Sequence, residues 1–498
     1  MRARTLLILV AAPFVLHACS GGSGRSDNTV TEVEIGEVQG AGHISPLEGA
    51  VVQVGGIVSG DFQDNDADKQ SNLGGFFVQS AKPDADPATS EGVFVFDGKN
   101  PAVDVSVGDR VTVVGEVAEH FGETQLIASR VEVTGIGDVR VVDLDLPLDQ
   151  ELESFEGMLL RFPQTLTVVD HYNLERFGSV KLYAGERPFS FTNQHAPDLA
   201  GYAQHQADFR ARTILLDDGR REENVFPIRL LKASAESGYS LRSGDTVAGV
   251  TGNLRFSRGS GSAGREDYRL MPTTEPRFAT GSPRPMAPAK TGSLRIVGFN
   301  TLNFFSSIDT GADNCGPNRD FGCRGADSAE ELERQLAKLV TALRQIDADI
   351  ISLMEVENNG GIALQLLVDR LNAAGPDLYD FVDAGVIGDD VISTAFLYNT
   401  GNVSLRGEPV TIDSTVDPRF SDRLNRPSLA QAFVANANGA TISVVVNHLK
   451  SKGSSCDDFG DPNLGDGQGN CNATRTAAAS ALADWVATDP TGSGDPDY

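Results

Sequence analysis

The sequence predicts a multidomain protein, with two β-rich units followed by a layered α/β domain. Three observations predict it. Short apolar runs punctuated by glycine fill the chain to about residue 277, and 53 glycines against one tryptophan suit short strands better than helical bundles. A segment with Pro283, Pro285 and Pro288 then breaks the pattern. From Leu294 onward strand-like runs alternate with helical periodicity, the order of a layered α/β domain. At 498 residues the chain is too long for one core, so several domains are expected.

The first element is a targeting segment. Arg2 and Arg4 precede the apolar run Leu6 to Leu16, which ends in Leu16-His17-Ala18-Cys19. The run is too short to span a bilayer stably. Residues 1–19 resemble a bacterial lipoprotein signal, with Cys19 as the lipid-bearing first residue of the mature chain. His17 is unusual at its position, so release after cleavage nearby stays open beside a lipid anchor in the membrane. Residues 20–28 read as a Gly/Ser tether.

Residues 29–136 form the first β-rich unit, with runs at Val51–Val54, Gly75–Gln79, Gly92–Phe96 and Val111–Val117. Phe76, Phe77, Phe94 and Phe96 at this spacing read as core rather than as a stacking platform. The acidic stretch Asp61 to Asp68 reads as a solvated loop, since its spacing fits no defined calcium loop. Residues 140–277 form the second unit. A faint repeat links the two: Gly108-Asp109-Arg110-Val111 leads to Gly115, and Gly244-Asp245-Thr246-Val247 leads to Gly252. Each Gly-Asp turns into a strand, and each later glycine marks a bulge or a close approach. Two tandem OB-like barrels fit this pattern. Residues 278–292 are the linker, and 293–498 the α/β domain.

In that domain Leu294–Asn300 is a strand. Ser328 to Ile346 is a helix, with Leu332, Leu336, Leu339, Val340, Leu343 and Ile346 on one face. Ser328 and Glu331 make its capping box. Asp349–Met354 is a buried strand, Ile362–Leu371 a helix, Val391–Tyr398 and Thr441–Val446 strands, and Ala473–Val486 a final helix.

Lys and Arg number 41 against 69 Asp and Glu, a net charge of −28. That charge repels polyanions and counts against passive, tight binding to nucleic acid. Cations bound at a site and a local basic patch can still offset it. Setting Cys19 aside, four cysteines remain, in two local pairs. The simple reading in an exported chain is two disulfides, Cys315–Cys323 and Cys456–Cys471. A zinc site is the competing reading, but the spacings are not those of a zinc module.

Polar residues where buried strands end carry the chemistry. Asn300 and Asn303 end the first strand. Glu355 follows a buried strand, where a carboxylate is costly unless paired or metal-bound. Alone, it fits equally a residue that caps the next turn. An amide oxygen plus a carboxylate is hard-oxygen ligation, suited to Mg²⁺, Mn²⁺ or Ca²⁺. His448 follows another strand, with Lys450 and Lys452 after it. A lone histidine is more often structural. Beside two lysines it also suits binding a phosphate and protonating a leaving oxygen.

Taken together, Phe299-Asn-Thr-Leu-Asn303, Leu353-Met-Glu-Val-Glu-Asn358, Ile392-Ser-Thr-Ala-Phe-Leu-Tyr-Asn399, Asn425-Arg-Pro427 and Asn447-His-Leu-Lys-Ser-Lys-Gly453 resemble the endonuclease/exonuclease/phosphatase superfamily. Within it the chain is most similar to extracellular bacterial nucleases of the ExeM/NucH type, relatives of DNase I. The β-rich part resembles the OB-like domains that precede the catalytic domain there. The resemblance implies a four-layer α/β sandwich of the DNase I-like type and a divalent metal, Mg²⁺ first, held by Asn300 and Glu355. It implies His448 on the scissile phosphate, and Asn303, Arg426, Asn447 and Lys450 as phosphate or supporting contacts. The implied reaction is in-line attack of water on a phosphodiester of DNA or RNA, outside the cell or in the periplasm.

One departure matters. The family continues with a strand ending in Gly-Asp-x-Asn and then a late Asp-His pair, and neither motif is present here. The expectation is a piece of a longer gene product, with an incomplete sheet, an open edge and no activity as it stands. Two rival readings stay open. One is a phosphodiesterase or phosphatase for lipid head groups or small phosphate esters, which the acidic charge mildly favours. The other is a non-catalytic surface module that binds nucleic acid.

Overall fold

The computed structural model describes residues 30–64, 72–235, 239–260, 265–376, 378–495 and 497–498. The signal segment, Cys19, the tether and part of the acidic stretch lie outside the described residues. The chain divides into two compact units, Met1–Arg187 with Ala211–Gly281, and Pro188–Arg210 with Ser282–Tyr498.

The first unit contains two rings of strands with the same pairing. In the first ring the strands are β1 (Val51–Phe62), β2 (Gly75–Gln79), β3 (Gly92–Phe96), β4 (Asp109–His120) and β5 (Glu123–Ile136). They pair in the order β1-β2-β3-β5-β4, and β4 pairs back onto β1. Only the β3–β5 pairing is parallel. The second ring has β6 (Leu159–Asp170), β7 (Ser179–Ala184), β8 (Thr213–Asp217), β9 (Thr246–Ser257) and β10 (Asp267–Pro272). It repeats the order as β6-β7-β8-β10-β9, with β9 back on β6 and only β8–β10 parallel.

The faint sequence repeat falls on equivalent strands. Asp109 opens β4, and Asp245 sits immediately before β9. A Cβ on Gly115 would meet the Ile127 carbonyl oxygen at 2.8 Å, and one on Gly252 the Met271 oxygen at 2.2 Å. Both glycines let the following strand come close. Apolar side chains fill the rings, Val54, Phe76, Val93 and Val113 in the first and Leu160, Phe162, Leu182 and Leu254 in the second. Burial alternates from Val51 to Gly56 of β1, as one filled face demands, and is continuous from Gly56 to Gly60. Asp61, expected in a loop, is still in β1, whose ladder runs on to Phe62 paired with Gly75.

The second unit is layered. Its first sheet contains β11 (Ile296–Phe304), β12 (Ile350–Glu357), β13 (Tyr379–Phe381) and β14 (Ile392–Asn399), in the order β11-β12-β14-β13. Its second contains β15 (Val403–Ile412), β16 (Arg426–Ala435) and β17 (Thr441–His448), in sequence order. Leu336, Leu339 and Leu343 of one helix (Ala329–Ile346) and Leu364, Leu367 and Leu371 of another (Ile362–Ala373) bury against the first sheet. Phe396, Leu429, Phe433 and Val446 fill the space between the sheets. Ala478 and Ala481 of a third helix (Asn472–Val486) pack with Ile412 and Phe420 beyond the second sheet. The layers therefore run helix, sheet, sheet, helix. β12 is buried along most of its length because both faces are covered.

Ser328 caps the first of these helices, its hydroxyl accepting from the Glu331 N–H at 3.3 Å. Three strands of these two sheets, β13, β15 and β16, and a helix at Leu199–Ala211 had no clear sequence signal. That helix has almost no apolar stripe and buries no residue. β17 is the outer strand of its sheet, and its Ser443 N–H donates to the Asp497 oxygen at 3.0 Å. The expected open edge is thus partly covered. Both disulfides are formed, Cys315–Cys323 and Cys456–Cys471. Among the described residues no helix is long and apolar enough to cross a membrane.

Candidate functional site

Glu355 is the centre of the site, and its backbone explains why. The sequence places it at the end of a strand. In the structure it lies inside β12 as a β-bulge: the register with β14 slips between Met354 and Val356. Its φ is 64°, a left-handed conformation that disfavours a side chain. β11 slips at the same level, between Asn300 and Phe304, with Leu302 and Asn303 at φ 54° and 59°. The Thr301 hydroxyl bridges the two strands through the Met354 and Glu355 carbonyls, at 2.9 Å each. Bulges of this kind re-aim a side chain, and strained backbone gathers where function requires it.

The bulge brings three predicted residues together. Asn300 Nδ2 donates to Glu355 Oε1 at 2.9 Å, and His448 Nε2 lies 3.4 Å from the same oxygen. Asn300 Oδ1 accepts from the Leu302 N–H at 2.8 Å, which folds the strand end around the amide. Glu355 and His448 side chains are each 18% exposed, open enough for a ligand and dry enough to strengthen charge. Arg426 pairs with His448 across β16 and β17 and contacts Asp390 Oδ2 at 3.0 Å.

Burial, then the charge of Arg426, pushes the His448 pKa below its ordinary value, while Glu355 and Asp390 pull more weakly the other way. The balance favours the neutral imidazole over the imidazolium. Its Nδ1 is buried with no hydrogen-bond partner among the described residues, as is Arg426 Nε.

The other predicted residues stand further back. Asn447 neighbours His448 in a strand, so its side chain points to the opposite face. There its Oδ1 accepts from the Ser428 hydroxyl at 2.6 Å. Asn303 accepts from Gln335 through its backbone oxygen at 3.3 Å. The Lys450 N–H donates to Asn425 Oδ1 at 3.0 Å, and its carbonyl accepts from Arg475 at 3.2 Å. The Cys456–Cys471 loop holds the same segment, since the Asn470 N–H donates to the Lys452 oxygen at 3.1 Å.

Sequence reasoning missed Asp390 and the role of Asn358. The buried Asn358 amide donates to the Ile387 and Asp390 carbonyls and accepts from the Ile387 N–H, fixing the loop that carries Asp390. An Asp-Asp pair just before a strand was the available signal.

No known family model matches the chain. No curated protein matches it either. Solved structures do match. An endonuclease/exonuclease/phosphatase family protein from Bacteroides thetaiotaomicron is 13% identical with a TM-score of 0.27, over 40% of this chain and 60% of that one. The human Nocturnin catalytic domain is 14% identical at 0.24, over 40% and 60%. A mannosyl-6-phosphatase from Bacteroides thetaiotaomicron is 13% identical at 0.26, over 40% and 61%. The chain thus spans about three fifths of the length of each. Likenesses at this level carry nothing about substrate, and the geometry of the site must speak for itself.

Proposed function

We propose that the second unit is a phosphoester hydrolase domain, and within that class a metal-dependent phosphodiesterase that cleaves nucleic acid outside the cell. One observation carries the reading. A carboxylate is held in strained backbone between an amide and an imidazole, with an arginine alongside.

The donors fit a hard divalent cation. Mg²⁺ commonly takes one or two carboxylates, keeps several waters and completes its shell with substrate phosphate. Glu355 and Asn300 would hold the ion, and when bound it would neutralise charge on the phosphate oxygens. Arg426 would hold a phosphate oxygen by a charge-assisted hydrogen bond. His448 can donate a hydrogen bond from Nε2 to the same phosphate. Asn303, Asn447 and Lys450 support the segments that carry these groups.

The strand order of the two rings supports reading the first unit as tandem OB-like barrels. Two disulfides are compatible with an oxidising compartment, and so with export and an anchor at Cys19.

Calorimetric titration of the whole chain with Mn²⁺ tests the reading. The expected result is one site, lost in Glu355→Gln and tightened by bis(4-nitrophenyl) phosphate, because cation and diester share the site. Mn²⁺ binding that ignores Glu355→Gln contradicts it.

A further inference from the structure

The Met-Glu-Val-Glu run that supplies Glu355 holds a second carboxylate, Glu357, which the hydrolase reading does not use. Glu357 is the last residue of β12 and is buried, 4% exposed. A carboxylate is costly to bury unless it is paired or well hydrogen-bonded. Neutral donors meet this one. Its Oε2 accepts from the Ser306 N–H and hydroxyl at 2.9 Å each and from the Ser307 N–H at 3.1 Å. Its Oε1 accepts from the Ser307 hydroxyl at 2.6 Å. The Asn359 side-chain amide donates to the same Ser306 hydroxyl oxygen at 3.0 Å. Ser306 and Ser307 lie just past the end of β11, so the carboxylate ties the end of β11 to the end of β12.

What that tie encloses gives it a use. β11 and β12 are in step from Ile296 opposite Ile350 to Asn300 opposite Met354, and again at Phe304 opposite Val356. Between these points β11 has Thr301, Leu302 and Asn303, where β12 has Glu355 alone. Leu302 and Asn303 take up the surplus in left-handed backbone, at φ 54° and 59°. Such strain persists only where the surroundings over-determine it. The regular ladder holds one end of the span. At the other end Phe304 and Phe305 are buried, but apolar contact is non-directional and does not by itself fix a register. The hydrogen bonds to Glu357 are directional and do. The span they close includes the Leu302 N–H that holds the Asn300 amide.

We infer that Glu357 is a positioning residue for the Glu355 site. It keeps β11 two residues out of step with β12, and so holds the Asn300 amide against Glu355. It acts through Ser306 and Ser307, without contact to cation or phosphate. Its consequence for cation binding rests on the reading of Asn300 and Glu355 as ligands, whereas the register it sets does not. The role needs acceptors of the right shape rather than charge. A glutamine at 357 can accept through its oxygen where Oε2 does now, and its amide can donate to the Ser307 hydroxyl, which turns to suit. An alanine leaves all of these donors without their partner.

The test is amide hydrogen exchange of the whole chain in EDTA, read over residues 298–305, with Mn²⁺ calorimetry on the same variants. Glu357→Ala should speed exchange in that segment about tenfold, the net loss of one or two hydrogen bonds, and leave β16 as protected as in wild type. Glu357→Gln should exchange like wild type. Ser306→Ala combined with Ser307→Ala removes the hydroxyls and keeps the backbone donors, so it should speed exchange less; it carries the test if Glu357→Ala does not fold. Mn²⁺ should bind about tenfold more weakly to Glu357→Ala and as in wild type to Glu357→Gln, whereas Glu355→Gln should lose it. Exchange in residues 298–305 that stays at the wild-type rate, or that rises equally across the second unit, overturns the inference. Loss of Mn²⁺ in Glu357→Gln also overturns it, because charge would then be at work. If wild type binds no Mn²⁺, the cation reading fails, and exchange still decides whether Glu357 sets the register.

Discussion

Replacing Glu355 by glutamine removes one negative charge and little else. The glutamine keeps the shape of the bulge and still accepts from Asn300 Nδ2, now found at 2.9 Å from Oε1. Without metal the variant should therefore fold like wild type. The difference appears on adding a cation. One carboxylate and one amide oxygen make a weak site, with Kd of about 10⁻⁴ to 10⁻³ M by analogy with open calcium sites. At 10 mM free cation, about 10 to 100 times Kd, binding to the folded state alone stabilises it by about 1.4 to 2.7 kcal/mol. For a unit of this size each kcal/mol raises the melting temperature by about 2–4 °C, so the gain is about 3–10 °C. Differential scanning calorimetry with Mg²⁺, Mn²⁺ and EDTA reads it. Wild type should gain that shift and Glu355→Gln should gain almost none, with Asn300→Ala between. An equal shift in wild type and Glu355→Gln would refute the assignment of Glu355 as a ligand.

Other expectations follow from the same structure. Gly252→Ala sets a methyl group 2.2 Å from the Met271 carbonyl oxygen, so it should cost about 1–3 kcal/mol in denaturant unfolding. Gly115→Ala, at 2.8 Å, should cost less. Replacing both Cys456 and Cys471 by serine frees a loop of sequence separation 15 and should cost about 3 kcal/mol, with faster proteolysis around Lys450 to Lys452. Burial, then the neighbouring Asp217, raises the Asp218 pKa to about 7 from 3.8. The folded state then holds a proton that the unfolded state has released, so this group's stabilising effect is full below pH 3.8 and fades as pH rises through 7. The melting temperature of the first unit should fall between pH 5 and pH 8, and Asp218→Asn should flatten that fall.

The parts of this molecule that sequence made legible are those whose pattern is local. Leu336, Leu339 and Leu343 mark a helix face because helical period alone selects them, and Ser328 marks its start by a cap. The Gly-Asp repeat marks equivalent strands because each Gly-Asp enters the strand and each later glycine permits a close approach. Asn300, Glu355 and His448 were found as polar residues at the ends of apolar runs. The left-handed φ of Glu355 was not legible, because it arises from register slips on both neighbours of β12. The pairing of Arg426 with His448 comes from two strands, and the first of them, β16, had no recognised pattern. Its first residues, Arg426-Pro427-Ser428, do not alternate.

The most direct test of the central claim is the position of a bound cation. Anomalous diffraction from a crystal of the whole chain soaked in Mn²⁺ would locate it. The account predicts one peak within about 2.0–2.6 Å of a Glu355 carboxylate oxygen and the Asn300 amide oxygen. A peak elsewhere with that position empty, or no peak at Mn²⁺ concentrations that saturate the calorimetric site, would contradict it.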